Sequence, residues 1–180
     1  MNDGTLTTTS DGYALRFERD LNHPVDKVWA ALTQPERMKG WLSEQAEVDL
    51  RVGGLVHFHD HQNFGHITDL KDRSVIAFEW KGSDWDGGIV RWEIAPSNGG
   101  THLVLTHEMP PMSDAEAEQF EKDHPGLPDG WHPVSSTLAG WHEIVDRLGR
   151  ALDGDADESF DVRHARWAKL NEHYKKEVVS

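Results

Sequence analysis

The chain has 180 residues, and its 32 acidic against 18 basic side chains give a formal charge of -14. That balance disfavours nucleic acid and anionic membrane surfaces as partners, because both need a positive face that displaces counterions. Cysteine is absent, which excludes thiolate catalysis, cysteine-ligated metals and disulfides. The opening MNDGTLTTTS lacks the basic start and apolar run of a secretory signal, and no apolar stretch approaches the length of a membrane span. A cytoplasmic protein without membrane insertion is expected, with residues 1–12 as a flexible N-terminus.

In chain order, YALRFERDL (13–21) alternates as a first strand. NHPVDKVWAALTQPERMKGWL then reads as two short helices, with Asn22 as a cap, Pro24 in the first turn, and Val25, Val28, Trp29 and Leu32 on one face. Between 44 and 108 the period changes to two, giving about six strands separated by short turns at Gly53-Gly54, Asp72-Arg73, Gly82 to Gly88 and Ser97 to Gly100. Such an antiparallel meander turns Val56, Phe58, Ile76, Phe78, Trp80, Val90, Trp92, Ile94, Leu103 and Leu105 to one face. The opposite face takes His57, His59, Glu79, Arg91, Glu93, His102 and Val104.

Residues 109–130 are rich in proline and acid, with a short helical possibility at 113–122, and read as a long connection of the kind that forms lids. WHPVSSTLAGWHEIVDRLGRAL follows with Val134, Leu138, Trp141, Val145, Leu148 and Leu152 at spacings of three and four, a long amphipathic helix suited to cover the apolar face of the sheet. A polar break at 153–159 precedes a last helix at about 161–177, so residues 153–180 form a C-terminal extension. The Asp153, Asp155, Asp157 alternation is not a calcium loop, since Glu158 stands at the required glycine and His164 at the bidentate glutamate.

The blocks HPVDKVWAALTQPERMKGWL, VDLRVGGLVHFH, GHITDLKDRSVIAFEW, VRWEIAPSNGGTHLVLTH and GWHEIVDRLGRAL, in that order over 13–152, resemble the START-like (SRPBCC) superfamily. Within it they are most similar to the branch named after the C-terminal domain of the heat-shock-protein ATPase activator. The resemblance implies an α+β helix-grip fold, a curved antiparallel sheet wrapped around the long helix. It also implies a cavity between the two that in many relatives holds a hydrophobic small molecule. It implies no single activity, since relatives include lipid binders, aromatic cyclases and co-chaperone domains. The activator's additional N-terminal domain has no counterpart here, which disfavours a chaperone partner, while the tryptophan-rich surface leaves a homodimer open.

Strand parity turns Phe58, Trp80, Trp92 and Leu105 toward the helix, and His107 with them. Trp131 is expected at the mouth of the pocket and Trp141 deeper, in the core; His142 is expected to be solvated. If Val56 faces Ile67 across the hairpin, Asp69 shares the inward face, and an Asp69 and His107 pair offers acid-base chemistry. The expected ligand-binding set is therefore Trp41, Phe58, Asp69, Trp80, Trp92, His107, Trp131 and Trp141. The leading expectation is capture of a hydrophobic or aromatic ligand, with a cyclase or dehydratase activity through Asp69 and His107, or a chaperone-interacting module, as the alternatives. His57 and His59 lie about 7 Å apart on one strand face, and the same register sets His66 opposite His57. Parity sends all three outward, so a solvated patch with no assigned metal is expected. No cofactor motif is present: there is no phosphate-cradling glycine loop, nucleophile elbow or HExxH helix.

Overall fold

The structure, a computed structural model, describes residues 3–83, 85–123, 131–155 and 158–178. Eight antiparallel strands form one sheet in the order β1-β2-β8-β7-β6-β5-β4-β3. They are β1 (Thr5–Thr9), β2 (Gly12–Leu21), β3 (Ala46–Val48), β4 (Leu55–Phe58), β5 (Asn63–Lys71), β6 (Val75–Lys81), β7 (Asp86–Ser97) and β8 (Gly100–Met109). Helices α1 (Val25–Thr33) and α2 (Pro35–Met38) follow β2, α3 (Asp114–Asp123) follows β8, and α4 (Pro133–Asp153) and α5 (Phe160–Val178) end the chain.

The six-stranded meander and the long helix appear where their periodicity predicts them. Two local expectations change. The segment read as a flexible N-terminus carries β1, an edge strand paired in register with β2 from Thr5 opposite Arg16 to Thr9 opposite Gly12. Its threonine run has the β-branched preference for extended backbone but only Leu6 to mark an alternating apolar face. Asn22 does not cap α1; Pro24 occupies the cap position without a side-chain hydrogen bond. Of the 109–130 connection, α3 is the described helix, while residues 124–130 lie outside the described residues, as does Asp157 of the acidic loop.

The inner face of the sheet is a set of rows running across strands. One row is Leu15, His107, Val90, Phe78 and Ile67; the next is Phe17, Leu105, Trp92, Ile76 and Leu70. Helix α4 lays Val134, Leu138, Trp141, Val145, Leu148 and Leu152 onto these rows, all of them buried. Pro133 opens α4 with a preset φ where its missing N–H is of no consequence. Gly154, left-handed at φ 87, ends it, and the N–H groups of Gly154 and Asp155 return to the carbonyls of Ala151 and Arg150; both close orphan carbonyls of the last turn.

Helix α5 is part of this core. Leu170 and Tyr174 belong to the same buried cluster as the sheet and α4. Arg166 binds Glu143 of α4 at 2.9 Å and Glu158 at 2.6 Å, and Asn171 Oδ1 accepts from Ser135 at 2.9 Å. His142 is buried, not solvated. Its Nδ1 meets the Tyr174 hydroxyl at 2.7 Å, and that oxygen accepts the Gly4 N–H at 2.8 Å. On its other side His142 Nε2 lies 3.5 Å from Asp146, whose Oδ1 accepts from Arg19 at 2.8 Å. The arrangement that satisfies every group has Tyr174 donating to Nδ1 and the Nε2–H directed at Asp146.

Candidate functional site

An apolar pocket of about 490 Å³ opens where the ends of β6, β7 and β8 meet α3 and the start of α4. Trp80, Trp85, Phe120, Trp131, Met109 and Met112 are the large aromatic and thioether side chains of its wall, and His107 also lines it. Trp131 stacks on Phe120 of α3 with ring centroids 5.1 Å apart and planes 19° from parallel. Trp85 is seated by glycine: a Cβ added at Gly82 would fall 1.9 Å from its indole nitrogen, and one at Gly87 2.4 Å from the same ring. Side chains at those two positions would expel Trp85 from the backbone it covers.

Behind the pocket runs a continuous aromatic packing. Trp80 contacts Trp141 at 5.1 Å, Trp141 contacts Trp92 at 5.9 Å, and Trp92 contacts Trp41 at 5.9 Å edge to face. Phe58 packs on Trp80 at 5.6 Å. The structure therefore divides the expected ligand-binding set. Trp80, His107 and Trp131 border the pocket, while Trp41, Phe58, Trp92 and Trp141 are buried core side chains that brace it.

His107 has no free ring nitrogen. Trp141 Nε1–H donates to its Nδ1 at 2.8 Å, which requires the proton on Nε2, and that N–H donates to the Gly87 carbonyl at 2.7 Å. Burial holds its pKa down to about 4, partly opposed by the hydrogen bond to Gly87. The imidazole is thus a fixed neutral strut between β8, α4 and the start of β7.

Asp69 is not in the cavity, contrary to the parity expectation. The ladder to β6 slips between Ile67 opposite Phe78 and Asp69 opposite Ala77. Thr68 is the extra residue of this bulge, so Asp69 turns to the outer face. There it accepts from Arg91 at 2.8 Å, with side chains 37% and 32% exposed. The Arg91 hydrogen bond lowers the Asp69 pKa. An Asp69 and His107 pair does not form, since the two occupy opposite faces of the sheet.

The histidine patch also differs from its expected register. Val56 pairs Gly65, not Ile67, because β4 ends at Phe58 opposite Asn63 and residues 59–62 make the turn. His66 consequently sits opposite Leu55 and meets Glu79 at 3.1 Å, away from His57. His57 instead faces Glu47 of β3, a residue whose strand is too short for periodicity to place. Among the pocket residues, sequence reading passed over Trp85 and Phe120. The available signal for Trp85 was an aromatic inside a Gly- and Asp-rich turn, where no core position needs one.

The family model described as activator of Hsp90 ATPase homolog 1-like protein matches residues 22–153. The chain belongs to this family. Several solved structures share the fold of this activator-like chain. The crystal structure of CalU16 from Micromonospora echinospora is 20% identical and superposes with a TM-score of 0.72, covering 99% of this chain and 98% of its own. The Aha1 dimer from Colwellia psychrerythraea is 14% identical with a TM-score of 0.59, covering 77% of this chain and 95% of its own. DynU16, described as belonging to the dynemicin biosynthetic locus, is 23% identical with a TM-score of 0.56, covering 81% and 49%. The search of curated proteins gives no match. At these identities the likenesses establish the helix-grip fold of the activator-like family.

Proposed function

We propose that this protein binds a flat, hydrophobic or aromatic small molecule in the pocket between Trp80, Trp85 and Trp131. The observation that carries this reading is the composition of the wall. Several large aromatic faces and two methionines surround a space of about 490 Å³, within the usual range for a small-molecule site. Aromatic faces recognise planar ligands by offset stacking, and flexible thioethers adapt to their outline. Polar groups among the lining residues, Tyr13, Asp86 and Glu116 included, are suited to orient a ligand that carries hydroxyl or amine substituents. Description of DynU16 by a biosynthetic locus is consistent with a small-molecule role but names no ligand for this chain.

The cyclase alternative loses its two named residues, because Asp69 faces solvent and both nitrogens of His107 are engaged. The test is a panel of planar polycyclic phenols and quinones followed by tryptophan quenching and thermal shift. A binder should raise the melting temperature in proportion to ligand concentration over Kd, and Trp131→Ala and Trp85→Ala should each weaken it by at least about tenfold. Binding that is indifferent to both substitutions would remove the pocket from consideration.

A further inference from the structure

We propose that Glu47, His57 and His59 form a binding site for one divalent transition-metal ion of the zinc, cobalt or nickel class. The three side chains converge on the outer face at the β3–β4 edge, and one ligand atom from each lies within 4.8 Å of the other two. Glu47 and His57 are direct cross-strand partners. His59 Nε2 is 3.1 Å from Glu47 Oε1, close to the roughly 3.4 Å that separates two ligand atoms bound about 2.1 Å from one tetrahedral ion. The imidazoles of His57 and His59 pack with centroids 3.8 Å apart, so both rings stand at the same place beside Glu47. Two nitrogens and one carboxylate oxygen favour zinc-like ions over magnesium or calcium, which take oxygen ligands. Three protein ligands leave a coordination position open to water or a small solute.

The backbone under this cluster is held independently of any ion. The N–H of His59 donates to Gln45 O at 2.9 Å, and its carbonyl accepts from the Gln62 side chain at 3.0 Å. Gln62 closes the turn in the left-handed region at φ 58. The Asp60 carboxylate accepts from Ser43 Oγ and from the Glu44 N–H. On its far side the His57 ring meets Phe64 edge to face at 6.2 Å. His59 thus projects from a pinned turn while Glu47 and His57 project from paired strands, and ligand positioning of this kind sustains affinity. The ion would tie edge strand β3 to the β4–β5 turn. Phe58, between the two histidines, carries that constraint inward to Trp80.

The experiment uses the full chain freed of metal by chelation and dialysis, titrated with Zn²⁺ by calorimetry and with Co²⁺ by visible absorption. One Zn²⁺ per chain is expected, with Co²⁺ giving the intense bands of a four- or five-coordinate site. His57→Ala, His59→Ala and the near-isosteric Glu47→Gln should each weaken binding by about tenfold or more, while His66→Ala leaves it unchanged. A second grouping, Asp3, His173 and Glu177, serves as an internal comparison. Absence of binding by the wild-type chain up to about millimolar Zn²⁺ overturns the proposal. So does a stoichiometric site that survives Glu47→Gln and both histidine substitutions, or one that is lost with His173→Ala.

Discussion

The indole N–H of Trp141 on α4 donates to Nδ1 of His107 on β8 at 2.8 Å, and this bond fixes the tautomer of a buried imidazole. With Nε2–H committed to Gly87 O, protonation of His107 requires breaking the Trp141 bond as well as charging a desolvated ring. The His107 pKa is lowered to about 4 from 6.5, so the unfolded chain takes up its proton first as pH falls. The stability this group contributes is complete above about pH 6.5 and is lost as pH falls through about 4, a change on the order of 3 kcal/mol. Urea unfolding at several pH values across that window should show a steeper loss for the wild type than for His107→Leu. Parallel curves for the two proteins would remove His107 as the source.

Trp141 and Trp131 should separate stability from binding. Trp141→Phe keeps an aromatic ring but leaves Nδ1 of His107 buried and unpaired, at a cost of about 1–3 kcal/mol in addition to the lost contacts with Trp80 and Trp92. Trp131 is half-buried beside the pocket, and its replacement by alanine should change stability by less than about 1 kcal/mol while weakening ligand capture. Thermal melts of the two variants without ligand decide the first half of this contrast.

Tyr174→Phe removes the oxygen that accepts the Gly4 N–H and meets His142. Two buried partners lose their hydrogen bond, so a loss of about 1–3 kcal/mol is expected. Amide exchange should accelerate at Gly4 and along β1, an edge strand whose sheet partner is β2, before it does in central β7 and β8. Uniform acceleration across the sheet would show that Tyr174 supports the whole core, not its N-terminal edge.

Asp69→Asn should be nearly silent. The Asp69–Arg91 pair is about one-third exposed on both sides, and exposed ion pairs contribute roughly 0–1 kcal/mol. Ligand quenching should be unaltered, because the carboxylate is on the face opposite the pocket. A loss of binding in this variant would mean that the outer face communicates with the cavity.

The parts of this fold that were legible from sequence are those in which burial repeats. The rows through Leu15, Val90 and Phe78, and through Leu105, Trp92 and Ile76, follow from simple alternation, as α4 does from spacings of three and four. Single-residue events broke the pattern. The bulge at Thr68 reverses the face of Asp69, and the 59–62 turn sets His66 two positions away from its expected partner. Neither carries a glycine or proline that would announce it. His142 was misplaced for a different reason: the face it occupies on α4 is covered by α5, and helix docking leaves no trace in local period.

The bulge has a further consequence for how the chain tolerates changes in length. Ile67 and Leu70 both face inward although they are three positions apart, so β5 holds one residue more than its ladder uses. Shortening the strand by one outside the Thr68–Asp69 bulge would transfer every following side chain to the opposite face. Removal of Thr68 alone restores strict alternation with Asp69 still outside and Leu70 still inside. At that position chain length is uncoupled from sidedness, and what a deletion would cost is the local curvature of the sheet.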